Sequence, residues 1–376
     1  MPTSVIVLGA TGSIGRQTLD CLRAAAKSEP GRFEIKALTA HHNFESLREA
    51  GREWPGATLV LSGAAGQGAP SIFPIEQLLR TTDADLVVNG ISGAAGLSAS
   101  VVALESGKNL ALANKESVVM AWGLLADRAK RYGRKIIPVD SEHAALFQLT
   151  GRIGTGSIDE LYITASGGPF RDRDPATLFS VTPDEAAKHP TWKMGRKISI
   201  DSATLANKGL ELIEAVRFFS IRPEQIRVLV HPESIVHALV RTIDGALYAH
   251  LSEADMHLPI DVALHWPEER PCPFGRLDLA GKTLHFADPD PLRFPMLGLA
   301  REAVTSGEGF TIAYNAANEI AVEAFEAGKI RFTQIAELVE RTLDYGWNSP
   351  EIDLGAILES DSAARTRART VLSEMR

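Results

Sequence analysis

The sequence predicts an α/β protein that ends in a helical domain, and three observations carry the prediction. Over the first 140 residues short apolar runs alternate with helical patterns, as a parallel sheet covered by helices requires. A middle region, to about residue 265, mixes strand candidates with a long helical block, which reads as α+β. From Pro267 to Pro295 six prolines interrupt the chain, so an irregular connection is expected there. The stretch REAVTSGEGFTIAYNAANEIAVEAFEAGKIRFTQIAELVERTL then reads as helices to the end. The expected division is a sheet domain at 1–140, a mixed domain at 141–265, a proline-rich linker at 266–298 and a helical domain at 299–376.

Taken in order, the strand candidates of the first region are SVIVL at 4–8, FEIKALTA at 33–40, ATLVL at 57–61, ADLVVNGI at 84–91, NLALA at 109–113 and KIIPVD at 135–140. The middle region adds ELYIT, RVLVH and ALYAH. With 376 residues, 45% hydrophobic and 23% charged, the chain can bury a large core in two or three domains. A net charge of −8 argues against nucleic acid or an anionic membrane as the main partner, so an anionic ligand needs a local cationic cluster. Two cysteines far apart, Cys21 and Cys272, suggest a reducing compartment without a disulfide framework. No run approaches the roughly 18 apolar residues of a membrane span, and a strand starting at Ser4 leaves no room for a signal peptide. The expected location is the cytoplasm.

VIVLGATGSIGRQTLD places Gly9, Gly12 and Gly15 between the first strand and a helix, where backbone amides and a helix N-terminus can meet a pyrophosphate. Thr11, Ser13 and Ile14 complete this loop. A tight structural turn is the alternative, and the repeated strand–helix array favours a dinucleotide, making the region Rossmann-like. The second strand ends in Leu38-Thr39-Ala40-His41-His42-Asn43, with no carboxylate to grip a ribose 2′-hydroxyl. That favours the 2′-phosphate of NADPH, with His41, His42 and Asn43 as candidate donors or as solvated loop residues.

ALANKESVVMAWG follows another strand, and the carboxyl ends of parallel strands bind ligands. Asn114, Lys115 and Glu116 are therefore expected at the nicotinamide end, a solvated Lys115–Glu116 pair being the alternative. PVDSEHAALFQ sets Asp140 and Glu142 on either side of Ser141. On a strand these carboxylates point the same way and their repulsion demands a cation; a turn or helix cap with Asp140 as acceptor is the other reading. In GRKISIDSATLANKGLELIEA a helix from near Ser202 puts Asn207, Lys208 and Glu211 on one face, flanked by Leu210, Leu212 and Ile213. An exposed ion pair, worth about 0.3–0.5 kcal/mol, is the plain account. Gly209 speaks against it, because a helical glycine costs about 1 kcal/mol against alanine and points to a close approach to the backbone.

GATGSIG, ANKES, PVDSEH, TASGGPFR, HPTWKMGRKISIDSATLANKGLELIEA, VLVHPESIVH and NAANEIA, in this order, resemble the 1-deoxy-D-xylulose 5-phosphate reductoisomerase family. The resemblance runs from residue 4 to about 345, and the block from His189 to Ala215 is its most specific part. It implies an NADP-dependent oxidoreductase that rearranges 1-deoxy-D-xylulose 5-phosphate and reduces it to 2-C-methyl-D-erythritol 4-phosphate in non-mevalonate isoprenoid synthesis.

What the resemblance implies extends to single residues. Asp140, Glu142 and Glu211 resemble three carboxylate ligands for Mg²⁺ or Mn²⁺, hard cations that take oxygen donors. Ser166, Ser202, Asn207 and Lys208 match the family's phosphate-binding set, and Lys115 and Ser141 would hold sugar hydroxyls. The loop opened by His189 would close over the substrate, with Trp192 as its cover and Met194 and Gly195 near the nicotinamide; read from the residues alone, Trp192 and Met194 fit a core better than a lid, and the resemblance reverses that. Lys115, Glu142, His189 and Lys208 are the expected catalytic residues. His143, His231, His237 and His257 are assigned structural parts, with His237 the one expected to support the site. A homodimer built on the middle region is implied too. Two departures stand out: His41-His42, where many relatives carry glycine and a basic or small residue, and His257, where a cation is common. A homoserine-dehydrogenase-like enzyme would share the glycine loop and an Asn-Lys pair without needing three carboxylates, and a non-catalytic NAD(P)H sensor would have no use for the phosphate cluster.

Overall fold

The computed structural model describes residues 1–63, 74–192, 194–274 and 277–375. In chain order the elements are β1 (Thr3–Leu8), α1 (Ser13–Ser28), β2 (Phe33–Ala40), α2 (Phe44–Glu53), β3 (Thr58–Leu61), α3 (Ile75–Thr81), β4 (Leu86–Asn89), α4 (Gly96–Glu105), β5 (Asn109–Leu112), α5 (Lys115–Arg131), β6 (Ile136–Pro138) and α6 (Ser141–Ile153). They continue with β7 (Ile158–Ala165), α7 (Pro183–Ala186), α8 (Arg196–Ala203), α9 (Ala206–Phe219), β8 (Ile226–Val230), β9 (Val236–Thr242), β10 (Leu247–Leu251), α10 (His257–His265), α11 (Pro295–Ser306), α12 (Glu308–Glu326), α13 (Gln334–Leu343) and α14 (Leu354–Glu374). The chain folds into two compact units: Met1–Ser117 with Gly123–Ala144 and Asp255–Gly275, and Val118–Trp122 with Ala145–Ala254 and Arg276–Arg376.

In the first unit the six expected strands form one sheet in the order β3-β2-β1-β4-β5-β6, every pair parallel. Continuous apolar runs suit strands covered on both faces, and Val5, Ile6, Val7 and Leu8 are all buried. The chain winds outward from β1 to β3, then returns to place β4 on the other side of β1. This reversal opens a crevice at the carboxyl ends of β1 and β4, the usual ligand position in such sheets. Helix α10 packs on α1 within the same unit.

The second unit contains a mixed sheet, β10-β9-β7-β8, with β7 and β8 parallel and the other pairs antiparallel. Helix α9 is apolar on nearly all sides because it serves two cores. Leu210 and Ile213 join the helical core with Met296, Ala300, Tyr314 and Ala317, while Leu212 and Ala215 join Leu161, Ile163 and Val240 of the sheet. The division expected at 140, 265 and 298 does not coincide with these units. Helices α11 to α14 share one core with α8 and α9, and residues 255–275 group with the first unit. Gly209 has its explanation here, since a Cβ on it would lie 2.5 Å from Tyr314 Oη and 2.8 Å from Ala300 Cβ. Among the described residues, no helix is long and apolar enough to cross a membrane.

Candidate active site

In the first unit the turn after β1 is built on glycine geometry. Gly9 has φ +76° and a Cβ there would sit 2.9 Å from Gly90 O; a Cβ on Gly15 would sit 2.2 Å from Gly9 O. Only glycine fits either position. Gly12 caps α1 with no side-chain acceptor, which leaves first-turn amides of α1, beside Thr11, Ser13 and Ile14, for an anion. Thr39 anchors this loop, accepting from Gly9 N at 3.1 Å on its hydroxyl and from Ala10 N at 2.7 Å on its carbonyl. At the end of β2, Asn43 spends its side-chain oxygen on capping α2, accepting from Ser46 N at 3.0 Å. His41 and His42 stay exposed with ring centroids 3.7 Å apart.

Asn114 caps α5, and its amide donates to Ile91 O and Gly93 O, both at 2.8 Å, and to Glu116 Oε2 at 2.9 Å. Its side chain shapes the loop, and Glu116 is held inside it. Lys115 turns the other way and its ammonium pairs with Asp140. The strand reading of Asp140-Ser141-Glu142 is corrected: β6 stops at Pro138 and α6 starts at Ser141. Asp140 lies just ahead of α6, its Oδ1 accepting from Glu142 N at 3.3 Å, and Glu142 lies in the first turn. Both carboxylates gain from helix-terminal amides and the dipole. Ser141 Oγ donates to Glu142 Oε2 at 2.5 Å. His143, fully buried, meets Asp140 Oδ1 at 3.0 Å through Nδ1. It is one helical turn from Asp140, a spacing that could have marked it as a partner.

In the second unit Ser166 follows β7 and precedes two left-handed glycines, Gly167 (φ +80°) and Gly168 (φ +65°). A Cβ on Gly168 would lie 2.7 Å from Ser202 O, so this glycine pair lets the Ser166 turn close onto the end of α8. His189 Nδ1 accepts from Thr191 N at 3.1 Å and Trp192 N at 2.8 Å. That fixes the proton on Nε2, which donates to Ser166 Oγ at 2.9 Å. Burial first, then the charges of Arg171 and Lys208, hold the His189 imidazole down at about 4. Arg171, whose Nη1 also donates to Ser166 O at 3.4 Å, is a cation of this pocket that the sequence reading quoted inside TASGGPFR without assigning it a part.

The helix expected from near Ser202 is two helices. Leu205, with φ +57°, separates α8 from α9. The break sends Leu205 into the sheet core while Ile200 and Ala203 remain in the helical core. Ser202 therefore ends α8, and Asn207, Lys208 and Glu211 share a face of α9 as expected. Asn207 Nδ2 and Lys208 Nζ each donate to Glu211 at 2.5 Å. With Lys208 4% and Glu211 1% exposed, the surface ion-pair account fails. Trp192 is half-buried, its ring 6.2 Å from that of His237. Met194 and Gly195 follow at the start of α8, and Lys193 lies outside the described residues. His231 is a satisfied structural histidine, Nδ1 donating to His285 O at 2.8 Å and Nε2 accepting from Ile235 N and Val236 N at 3.2 Å. His257 sits between Asp255 and Asp20 within the first unit.

A parallel sheet with a glycine cradle after β1, carboxylates at the start of α6, and a second unit carrying Ser166, His189, Asn207 and the buried Ser202 and Lys208 are the parts of a dinucleotide-dependent oxidoreductase, and its relatives make the class NADP-dependent. Family models agree: 1-deoxy-D-xylulose 5-phosphate reductoisomerase matches residues 5–69 and 72–122, its C-terminal domain 136–219, and the DXP reductoisomerase C-terminal domain 251–367. The reductoisomerase of Moorella thermoacetica is 47% identical over 99% of this chain and 98% of its own. That of Burkholderia pseudomallei is 44% identical over 100% and 98%. A DOX-P reductoisomerase in complex with NADPH, fosmidomycin and magnesium has a TM-score of 0.89 at 38% identity, and the Zymomonas mobilis enzyme with NADPH 0.88 at 39%, each covering 99% of both chains. The chain belongs to the 1-deoxy-D-xylulose 5-phosphate reductoisomerase family.

Proposed function

We infer that this chain rearranges 1-deoxy-D-xylulose 5-phosphate and reduces the product to 2-C-methyl-D-erythritol 4-phosphate, using NADPH and Mg²⁺. Family membership over the whole chain carries the assignment of the reaction. The donor chemistry fits both groups: Gly9 and Gly15 form a cradle that any Cβ would fill, and Asp140, Glu142 and Glu211 are hard oxygen donors of the kind Mg²⁺ takes. We assign these three as the metal ligands, and Mn²⁺ as a competent substitute. When bound, the cation supplies Lewis-acid polarisation of the substrate's ketone and hydroxyl oxygens. NADPH supplies the hydride for the aldehyde that the rearrangement produces.

The rest falls to the chain's own groups. Lys115 pairs with Asp140, and Lys208 with Glu211. Lys115 would hold a sugar hydroxyl, and Lys208 would join Asn207, Ser202 and Ser166 on the phosphate, while a cation bound by the carboxylates would take up their charge. Ser166 Oγ already accepts from His189 Nε2 and from Gly168 N at 3.2 Å. Its own proton is thus directed outward, to an acceptor such as a phosphate oxygen. Ser141 also addresses a sugar hydroxyl, Trp192 covers the substrate, and Met194 and Gly195 lie near the nicotinamide. His41 and His42 address the 2′-phosphate. Product identification tests the reading: a branched methylerythritol phosphate supports it, and an unbranched reduced sugar phosphate would make the chain a plain dehydrogenase.

We further propose a homodimer built on the β7–β10 sheet and a cytoplasmic location. The dimer reading is supported by the edge strand β10, which exposes Leu247 and Tyr248 beside Ile243. Light scattering that reports a monomer at all concentrations would reject it. Two free cysteines support the location.

A further inference from the structure

Helix α5 is not continuous. Ala121, at φ −146° and ψ 32°, lies far from helical geometry. A helix without proline breaks sharply where something enters its hydrogen-bond ladder, and here the entrant is Arg217 from α9. Its Nη1 donates to Val118 O at 2.5 Å and Val119 O at 2.6 Å. These are the carbonyls whose i→i+4 partners lie beyond the break. Nη2 donates to the buried Thr311 Oγ1 at 2.6 Å, and Glu308 lies 3.9 Å away as the counter-charge. The next residue, Phe218, sets its ring 4.7 Å from that of Trp122. Burial lowers this guanidinium to about 10, with Glu308 acting the other way, so it remains charged at neutral pH.

The piece of α5 before the break, Lys115 to Met120, is under two turns long and could not persist on its own. It is held at both ends: Asn114 caps its first amides, accepting from Ser117 N at 2.9 Å, and Arg217 caps its last carbonyls. A cation at a helix C-terminus also gains from the dipole. Lys115 is the first residue of this piece. We propose that Arg217 is a positioning residue for the reaction: by capping the broken helix it fixes the bearing of Lys115 toward the substrate. This rests on the function inferred above for Lys115, whereas the helix-capping part stands on the structure alone.

Arg217→Met tests both parts. Amide exchange should quicken in residues 117–124 and stay near wild type in β1 and β4. The kcat should fall by up to about 10²-fold, the scale of a 1 Å misplacement of a reacting group, with the NADPH KM within about twofold. Thr311→Val, which leaves both carbonyl contacts, should keep kcat within about threefold. Should Arg217→Met not fold, Arg217→Lys, with fewer donors and no planar fork, should fold and lose about tenfold in kcat. Wild-type kcat in Arg217→Lys, an equal loss in Thr311→Val, or faster exchange spread evenly through α9 and α12 would each overturn the proposal. Were the wild-type protein inactive on the deoxyxylulose phosphate, the assigned reaction would fail while the exchange data still decided the capping role.

Discussion

Lowering the pH should unfasten His189, and the size of the effect follows from its surroundings. Burial, reinforced by Arg171 and Lys208, keeps the ring neutral down to about 4, against about 6.5 for a free imidazole. The folded-state value is depressed, so the stabilisation is fully present above about 6.5 and is lost as the pH falls toward 4. Near pH 5 the unfolded ring is charged and the folded ring is not, a difference of about 2 kcal/mol; water at the half-buried ring reduces it to roughly 1–2 kcal/mol. His250, also held near 4 by burial and then by His237 and Arg152, acts in the same direction. Urea unfolding at about pH 7.5 and about pH 5 should therefore show a wild-type loss of roughly 2–4 kcal/mol from the two rings. In His189→Asn, whose oxygen can still accept the Thr191 and Trp192 amides, that loss should be about half as large. Identical pH dependence in wild type and variant, or a ring titration showing His189 at or above its ordinary value, would mean that the pocket does not hold this ring neutral, and a nitrogen spectrum placing the proton on Nδ1 would reverse its hydrogen bonds.

Glu211→Gln should cut turnover by orders of magnitude at saturating Mg²⁺ with the fold retained, since the proposed metal site would lose one anionic oxygen ligand; near-normal turnover would leave Glu211 as the partner of Lys208 only. Gly209→Ala should destabilise by about 1–3 kcal/mol, read as a lower Tm, because its Cβ meets Tyr314 and Ala300. An unchanged Tm would mean the helices can separate without cost. Replacing His42 with Asp should bring NADH level with NADPH or ahead, erasing a preference of about ten- to a few-hundredfold in kcat/KM. An unchanged cofactor ratio would place the 2′-phosphate elsewhere.

Local signals in the sequence were legible where neighbours along the chain decide the structure. The apolar runs became the six parallel strands, Gly209 meets the close approach its place in a helix implied, and Asn207, Lys208 and Glu211 share a helical face. Where the sequence left two local readings open, the tertiary structure chose. Asp140 to Glu142 could extend β6, yet β5 pairs with β6 only as far as Pro138, and the following AALFQL supplies a helical face. The break at Leu205 exists because consecutive residues serve different cores, which no helical periodicity records. Arg217 gained its part from contacts far along the chain, with Val118 and Thr311 nearly a hundred residues away on either side, and Arg171 from the turn that brings it back to Ser166 O beside His189. An arginine in an amphipathic run carries no mark of burial until the elements around it are placed.

In the reaction we propose, a divalent cation held by carboxylates and a hydride from NADPH act on one sugar phosphate. It is tested most directly by following NADPH consumption with 1-deoxy-D-xylulose 5-phosphate in three states: with Mg²⁺, with excess chelator, and after Mg²⁺ is restored. Consumption that requires the sugar phosphate, stops with chelator and returns with Mg²⁺ is the predicted result. An undiminished rate in chelator, or no consumption in any state by folded protein, would contradict the account.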